Sequence, residues 1–362
     1  MPEPILYVAV TNHGFGHATR TASVVAEIQR QCPDIRIIIT TTAPRWLLES
    51  YIEGDFVHRP RAFDLGVVQS DSITMDKAAT LEKLNHIRER ARATIASEVT
   101  FLKQNRVGLI LGDIPPLLPP MARAAGIPCW MMSNFGWDFI YRDWGEEFYG
   151  IADWIGECFG QCDRLFRLPF HEPMSAFPHI EDIGLTGGSP RHSAEEIRQL
   201  FDLQTPLEKT VLLTFGGLGL AEIPYQGLTQ FPDWQFITFD QDAPELPNLL
   251  KVKTRFGSKY RPVDVMPVCG RVVSKPGYGT FSEACRTNTP LVTLTRRDFA
   301  EAQVLIDGVC DLLPHQILEP HEFYQANWEF LHEPLTSPRH PNSVTCDGNE
   351  AIARAVIDYL MP

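Results

Sequence analysis

The sequence predicts an α/β protein of two halves, each built on a parallel β-sheet. Short apolar runs alternate with helical segments up to residue 168 and again from residue 210, the pattern of parallel strands joined by crossover helices. A glycine-rich turn follows the first apolar run of each half. Between the two series, residues 184–193 are rich in glycine, serine and proline, as linkers are. The 362 residues are enough for two domains of about 150 residues each.

The first half begins with the clearest strand, residues 5–10, a continuous apolar run typical of a strand buried on both faces. Residues 18–30 carry apolar side chains at helical spacing, and residues 35–41 are rich in β-branched side chains, so a helix and a second strand follow. Residues 75–104 predict a long helix. Further strands are predicted at residues 107–112, 127–133 and 165–168.

The second half repeats this alternation. Strands are predicted at residues 210–215, 235–239, 272–274 and 291–294, and helices at residues 281–286 and 300–307. The amphipathic segment 349–359 predicts a last helix. These elements divide the chain into a first domain, residues 1–187, and a second domain, residues 188–348. The C-terminal helix, residues 349–362, is expected to pack back on the first domain.

Charge and composition exclude several classes of protein. Asp and Glu outnumber Lys and Arg by 45 to 32, a formal net charge of −13, which argues against binding nucleic acid or anionic lipid. No apolar run approaches the ~20 residues of a membrane span. The acidic start of the chain lacks the basic region of a secretion signal. The eight cysteines are scattered without a CxxC pair, so we expect reduced thiols in a cytoplasmic protein.

The turn after the first strand carries the first candidate chemistry. Gly14 and Gly16 match two glycines of a dinucleotide-binding fingerprint, but Thr19 stands at the third, and the second strand does not end in an acid. A turn used only for packing would not need the two histidines that flank it. His17 would lie at the N-terminus of the next helix, where a neutral imidazole able to accept a proton is favoured. A structural histidine and a general base both stay open.

The second candidate is the turn within residues 275–283. Gly277 and Gly279 let a ligand approach the backbone closely, and the helix predicted to start near Thr280 would direct free N–H groups at an anion. Glu283 would lie in its first turn, where a carboxylate can accept hydrogen bonds from ribose hydroxyls. The alternative is a capping box, with Thr280 as N-cap and Glu283 three residues on. Both interpretations can hold together.

Two stretches differ in character from the chain as a whole. Residues 251–297 hold ten basic and two acidic residues, a net charge of +8 that suits a pyrophosphate; a basic outer face is the alternative. Residues 134–162 hold six acids, one arginine and nine aromatic residues. That mixture suits stacking on sugar rings and hydrogen bonding to their hydroxyls. A lid or an ordinary packed helix is the alternative.

These motifs together resemble those of GT-B glycosyltransferases, and in particular the N-terminal glycosyltransferase-like region of plant L-arabinokinase and its bacterial relatives. The segments that carry the resemblance run in order along nearly the whole chain: HGFGHATR at 13–20, QSD at 69–71, NFGWDFIY at 134–141, FGG at 215–217, GYGT at 277–280, SEA at 282–284 and RRD at 296–298. The resemblance implies two Rossmann-like parallel-sheet domains facing across a cleft, with a nucleotide sugar in the C-terminal one. The kinase half of arabinokinase has no counterpart here, so arabinose phosphorylation is not implied.

The resemblance also implies roles for individual residues. The predicted donor-binding residues are Gly216, Gly217, Lys275, Gly277, Tyr278, Gly279, Thr280, Glu283, Arg297, Asp298, Glu301 and Gln303. Among them the glycine turns would cradle the phosphates, Glu283 would take the ribose hydroxyls, and the last three would face the donor sugar. Phe256 and Tyr260 are candidates for stacking on the nucleobase. The predicted acceptor-side residues are His13, Gly14, Gly16, Asp71, Asp113, Asn134, Trp137 and Asp138.

The predicted reaction is an inverting transfer of a sugar from a nucleotide sugar, with a UDP-sugar favoured, to an unidentified acceptor hydroxyl. His17, or alternatively Asp71 or Asp138, would take the acceptor proton. Basic groups and helix N–H groups would stabilise the leaving diphosphate, so neither metal nor cofactor is expected. The second glutamate that retaining GT-B enzymes place eight positions from Glu283 is absent, which favours inversion. Two alternatives stay open: a non-catalytic nucleotide-sugar sensor or binding protein, and a nucleotide-sugar epimerase or hydrolase.

Overall fold

The computed structural model describes residues 3–69, 75–216, 223–325 and 327–362, which form two parallel β-sheets. The strands of the first sheet are β1 (Ile5–Val10), β2 (Arg36–Thr40), β3 (Val57–Arg59), β4 (Leu109–Asp113), β5 (Cys129–Ser133), β6 (Arg164–Arg167) and β7 (Ile180–Asp182). Their order is β3-β2-β1-β4-β5-β6-β7, and every neighbouring pair is parallel.

The second sheet lies entirely in the later part of the chain. Its strands are β8 (Thr210–Leu213), β9 (Gln235–Thr238), β10 (Leu249–Lys251), β11 (Arg271–Ser274), β12 (Leu291–Leu294) and β13 (His315–Leu318). They are ordered β10-β9-β8-β11-β12-β13, again all parallel. The predicted architecture of two parallel-sheet halves is confirmed.

Helices connect the strands in both halves. Those of the first half are α1 (Gly16–Gln31), α2 (Arg45–Glu49), α3 (Lys77–Gln104), α4 (Leu118–Ala125), α5 (Trp137–Asp143) and α6 (Glu146–Phe159). Those that follow are α7 (Ala194–Leu200), α8 (Val252–Phe256), α9 (Pro262–Val265), α10 (Tyr278–Thr287), α11 (Glu301–Leu312), α12 (Pro320–Tyr324) and α13 (Gly348–Leu360). Within the described ranges no helix is long and apolar enough to cross a membrane.

The strand order fixes where each half can bind a ligand. In the first sheet the order reverses between β1 and β4, where Val10 pairs with Asp113. In the second sheet it reverses between β8 and β11, where Leu213 pairs with Val273. Open parallel sheets bind ligands beyond the carboxyl ends of their strands at such reversals. The two glycine turns that the sequence analysis selected follow β1 and β11.

The central strands of each sheet are buried on both faces, which explains why β1, β8 and β12 are largely apolar. The C-terminal helix α13 packs against α1, and Ile352, Ala353 and Val356 join the core on one face of the first sheet. The division between residues 187 and 188 stays a prediction; it falls between β7 and β8. The eight cysteines are free thiols.

Candidate active site

The turn after β1 brings the start of α1 to the edge of the first sheet. Gly14 has a φ of +59°, a left-handed conformation that glycine adopts without strain, and α1 begins two residues later. The turn therefore directs the first helical residues toward the second half of the molecule.

The two glycine turns converge at one point between the halves. A Cβ atom built on Gly279 would lie 3.6 Å from the Cα atom of Gly16 and 3.5 Å from the hydroxyl of Thr19. The N-terminal ends of α1 and α10 are thus in contact, each presenting backbone N–H groups that no residue of its own helix can accept. This arrangement concentrates donors for an anion where the halves meet.

His17 lies at this point and is paired with an acid. Its Nδ1 atom is 2.9 Å from Oδ1 of Asp113, the last residue of β4, and the histidine is 7% exposed. From the sequence, His17 was predicted as a base and Asp113 as an acceptor-side contact, without a link between them. The fold brings them together because α1 and β4 meet at the strand reversal, 96 positions apart in the chain.

Arg20 completes this cluster and was missed by the sequence analysis. Its Nε donates to Oδ2 of Asp113 over 2.7 Å and its Nη2 to Oδ1 over 2.5 Å, although the side chain is only 1% exposed. Burial alone would raise the pKa of Asp113, but Arg20 and His17 lower it to about 2. Arg20 lies three residues after His17, which is the one sequence signal that places both on one face of a helix.

The cluster extends into the second half through Asn134, which follows β5. Asn134 Oδ1 accepts from Arg20 Nη1 over 2.7 Å, and its Nδ2 donates to Oε1 of Glu301 over 2.8 Å. Arg20 also lies over the ring of Tyr278, 4.9 Å from its centroid. One buried polar network therefore connects the predicted acceptor side, through Arg20, with two predicted donor-side residues.

The aromatic segment after β5 packs inward. Five of its rings are buried in the core beside the first sheet: Phe135, Trp137, Tyr141, Phe148 and Phe159. Trp137 is 1% exposed, and its indole N–H donates to the hydroxyl of Thr11 over 2.9 Å. The ring is covered by protein beside the turn after β1, and the contact of Trp137 with the acceptor stays a prediction.

His13 faces the second half from this aromatic support. It stacks on Phe299 with ring centroids 5.7 Å apart and meets the edge of Trp137 at 5.2 Å. Burial, together with the nearby charges of His17, Arg296 and Lys275, lowers the pKa of His13 well below its ordinary value. His13 is therefore neutral at physiological pH and serves as a packing contact between the halves.

Three further carboxyl groups bear on the choice of a base. Asp64, which the sequence analysis missed because a lone loop acid gives no signal, accepts from the Thr11 hydroxyl and the Asn12 N–H; burial raises its pKa to about 7. Asp138 lies in the first turn of α5, where burial raises its pKa. Asp71 lies outside the described residues.

The donor-side turn starts its helix earlier than predicted. Helix α10 begins at Tyr278 with Gly277 as N-cap, so Thr280 is the third helical residue. The predicted capping box is therefore wrong. Gly277, Tyr278, Gly279 and Thr280 instead form the cap and first turn, and this is the part of a helix that carries free N–H groups.

Lys275 lies beside this turn, next to Gly216. The φ of Gly216 is +78°, and a Cβ atom there would lie 3.4 Å from Cε of Lys275. Burial, reinforced by the like charge of Arg296, lowers the pKa of Lys275 to about 8. The structure thus brings Gly216, Lys275 and the start of α10 together, whereas Gly217 lies outside the described residues.

Glu283 is held by the linker and by the first half. Tyr51, at the end of α2, donates to its Oε1 over 3.0 Å, and the N–H of Gly188 donates to the same atom over 3.2 Å. Burial raises the pKa of Glu283. No sequence pattern pointed to Tyr51, which lies 232 positions from Glu283.

The loop around Asp298, which was predicted to face the donor sugar, is bonded to side chains of the first half. Asp298 adopts a φ of +63°; its carboxylate pairs with Lys77 at 2.8 Å, and its carbonyl accepts from the indole N–H of Trp144 at 2.7 Å. Gln303 is exposed and donates to Asp307 one turn further along α11, while Arg297 is exposed beside the loop. Of the predicted sugar-facing residues, only Glu301 joins the buried network.

Phe256 and Tyr260 pack against another aromatic ring of the second half. Phe256 stacks on Phe201 with ring centroids 4.4 Å apart, and Tyr260 is buried against the same ring at 5.2 Å. Both belong to or line the core of the second half. Both rings thus already contact a protein ring, and their role in stacking on a nucleobase stays a prediction.

The +8 stretch is likewise spread over the second half rather than gathered at the turn. Arg261 pairs with buried Asp264, and Arg286 donates to carbonyl groups of the linker. Among its ten basic residues, Lys275 and Arg296 interact closely enough to shift the pKa of Lys275. The local positive field predicted from composition is therefore narrower than the sequence indicated.

Comparison with known proteins finds a protein whose sequence is similar to most of this chain. The chain is 30% identical to L-arabinokinase of Arabidopsis thaliana over 339 residues, which is 90% of this chain and 30% of that protein. The chain thus spans less than a third of the length of this relative. The resemblance predicted from the motifs is confirmed over that range. No family model matches the chain.

Solved structures show the same fold. The glycosyltransferase of kitacinnamycin is 15% identical with a TM-score of 0.59, and the alignment covers 99% of this chain and 96% of that one. A UDP-glucosyltransferase from Polygonum tinctorium capable of glucosylating indoxyl is 13% identical with a TM-score of 0.61, covering 98% and 94%. At these identities the likeness concerns the fold alone. The chain has the GT-B glycosyltransferase fold.

Proposed function

We propose that this chain transfers a sugar from a nucleotide-sugar donor to a hydroxyl group of an acceptor, with inversion at the anomeric carbon. The observation that carries the proposal is the pairing of His17 with Asp113 at the point where the two glycine turns converge. A base and a set of anion-binding N–H groups are the two requirements of this chemistry, and they lie side by side there.

In this mechanism His17 acts as the general base. Its Nδ1 is held at Asp113, which leaves Nε2 to take the acceptor proton. The acceptor oxygen then attacks the anomeric carbon while the bond from that carbon to the diphosphate breaks. Asp113 stays ionised, since its pKa is about 2, and stabilises the imidazolium that forms.

The leaving diphosphate would be met by the start of α10. In this proposal negative charge develops beside its N–H groups and Lys275, and such donors stabilise the transition state when they are positioned in advance. The proposal assigns no role to a metal or a cofactor. A UDP-sugar is the favoured donor, because one structure of the same fold is a UDP-glucosyltransferase.

A thermal-shift panel of nucleotide sugars tests donor binding. A ligand that binds only the folded chain raises its melting temperature by mass action, by an amount that grows with ligand concentration. UDP-sugars are expected to give the largest shift. If no nucleotide sugar shifts the transition, the proposal fails.

Substitution of His17 tests the base. His17→Ala should lower kcat by roughly 10²- to 10⁴-fold, the usual contribution of a general base, with little change in donor affinity. His86→Ala, on the exposed surface of α3, is the control and should leave kcat unchanged. Product formation with a panel of hydroxyl acceptors, followed by mass spectrometry, supplies the measurement.

The same assays separate the alternatives. Donor binding without turnover for any acceptor would identify a sensor or binding protein. Loss of the sugar from the donor without an acceptor, with water taking its place, would identify a hydrolase, and a changed sugar still attached to the nucleotide would identify an epimerase. If the His17→Ala variant still transferred the sugar to the acceptor, the base would be another group.

A further inference from the structure

Nη2 of Arg20 has more acceptors around it than hydrogens to donate. It lies 2.5 Å from Asp113 Oδ1, 2.9 Å from His17 Nδ1 and 3.1 Å from the hydroxyl oxygen of Ser133. A guanidinium Nη atom carries two hydrogens. One of them goes to Asp113, because Nε and Nη2 hold that carboxylate by both oxygens. The second has two remaining destinations, His17 or Ser133.

The destination of that hydrogen decides which nitrogen of His17 carries its own proton. If Ser133 accepts it, His17 Nδ1 keeps its hydrogen and donates to Asp113 Oδ1, 2.9 Å away, so Nε2 carries the lone pair. If His17 accepts it, Nδ1 has no hydrogen and Nε2–H cannot take a proton. The two neutral tautomers of histidine thus differ in whether the ring serves as a base at Nε2.

We infer that Ser133 is a positioning residue that sets the tautomer of His17 by accepting the second Nη2 hydrogen of Arg20. Ser133 is the last residue of β5 and is fully buried. Elsewhere on the guanidinium, Nε donates to Asp113 and Nη1 donates to Asn134. The expected effect on catalysis rests on the proposed function, whereas the tautomer of His17 can be measured in the chain without any ligand.

Ser133→Ala removes the acceptor at almost constant volume. The second Nη2 hydrogen of Arg20 should then be donated to His17 Nδ1. His17 would consequently adopt the tautomer that carries its hydrogen on Nε2. The tautomer can be measured by NMR with histidine-selective ¹⁵N labelling at a pH where the imidazole is neutral. In a neutral ring, the nitrogen that carries the hydrogen and the nitrogen that carries the lone pair have well-separated ¹⁵N chemical shifts. The His17 signals are assigned by their loss in His17→Gln. In turnover, kcat should fall by roughly 10- to 100-fold while donor KM stays constant.

Three variants serve as controls. Ser133→Thr keeps a hydroxyl and should restore the Nδ1–H tautomer and most of kcat. Ser133→Cys offers a weaker acceptor and should give a mixed tautomer, which keeps the test decisive if the alanine variant does not fold. Ser23→Ala removes another buried serine hydroxyl, one on α1 that donates to the Thr19 carbonyl, and should change neither tautomer nor kcat.

The outcomes separate this inference from the proposed function. An Nδ1–H tautomer that survives in Ser133→Ala overturns the inference, whatever the wild type catalyses. A tautomer that moves as expected in a chain that turns over no nucleotide sugar supports the inference and removes the proposed function. A fall in kcat with an unchanged tautomer assigns Ser133 a packing role and also overturns the inference.

Discussion

Three ionisable side chains near this site have shifted pKa values. Asp113 is kept ionised by Arg20 and His17, Asp64 is brought by burial to a pKa of about 7, and burial lowers the pKa of Lys275 to about 8. Perturbed groups of opposite tendency that gather at one cleft are typical of functional sites. The motif at 13–20 located His17 and contains Arg20, but the pairing of Arg20 with Asp113 and the position of Asp64 depend on contacts between distant parts of the chain.

The buried Arg20–Asp113 pair should be costly to break. Arg20→Met leaves a carboxylate at 0% exposure without its main counter-charge, and removing one partner of a buried pair costs about 3–5 kcal/mol of unfolding free energy. The native pKa of Asp113 is about 2, below its unfolded value, so its stabilisation is present at neutral pH and is lost as pH falls toward 2. Urea denaturation at pH 7 measures the change. Arg45→Met, in an exposed pair, is the control and should have little effect.

Lys275 should make donor binding depend on pH. Its pKa is lowered to about 8 in the free chain, and a bound diphosphate favours the charged amine, so affinity should fall as pH rises through about 8. Calorimetric titration with UDP between pH 7 and 9.5 provides the measurement. Lys275→Arg stays charged throughout this range and should bind with a flatter pH profile. Identical profiles for the two proteins would contradict a role for Lys275 at the diphosphate.

The bounds of a secondary-structure element could be predicted where the buried residues form one clear apolar run in the sequence. β1 and β12 have the predicted bounds, because both are short apolar runs bordered by polar residues or turns. α4 was missed because it carries two prolines in its first turn, which read as breaks. After β5, the structure matches the alternative of packed helices, since apolar residues of α5 and α6 face the core and most of their acidic residues face the solvent.

Two helical glycines give an element-level test of packing. A Cβ atom on Gly308 of α11 would lie 2.0 Å from the ring of buried Phe170, whereas one on Gly150 of α6 would meet nothing closer than 3.9 Å. Gly308→Ala should therefore cost about 1–3 kcal/mol of unfolding free energy, the usual penalty of overpacking. Gly150→Ala should instead add up to about 1 kcal/mol, because alanine favours the helix. Chemical denaturation of both variants checks the opposite signs; a stabilising Gly308→Ala would refute the close contact.

The whole molecule is organised by contacts between residues far apart in the chain. Tyr51 with Glu283, Asn134 with Glu301 and Lys77 with Asp298 each join the first half to the second, over 167 to 232 positions. The resemblance to GT-B glycosyltransferases implied that the two halves face each other across a cleft. It had no means of predicting which side chains meet there, because each contact depends on how the two halves are placed.

The contacts at Asp298 should govern how readily a nucleotide enters between the halves. Lys77 and Trp144 reach across to this loop from α3 and from the end of α5. Lys77→Met combined with Trp144→Phe removes the ion pair and the indole hydrogen bond but keeps apolar bulk. The nucleotide association rate should rise, by up to about tenfold if closure loses 1.4 kcal/mol. Stopped-flow binding of a fluorescent nucleotide measures this rate. Arg142→Met breaks an ion pair within the first half and is the matched control. An unchanged rate in the double variant would mean that these contacts do not limit entry.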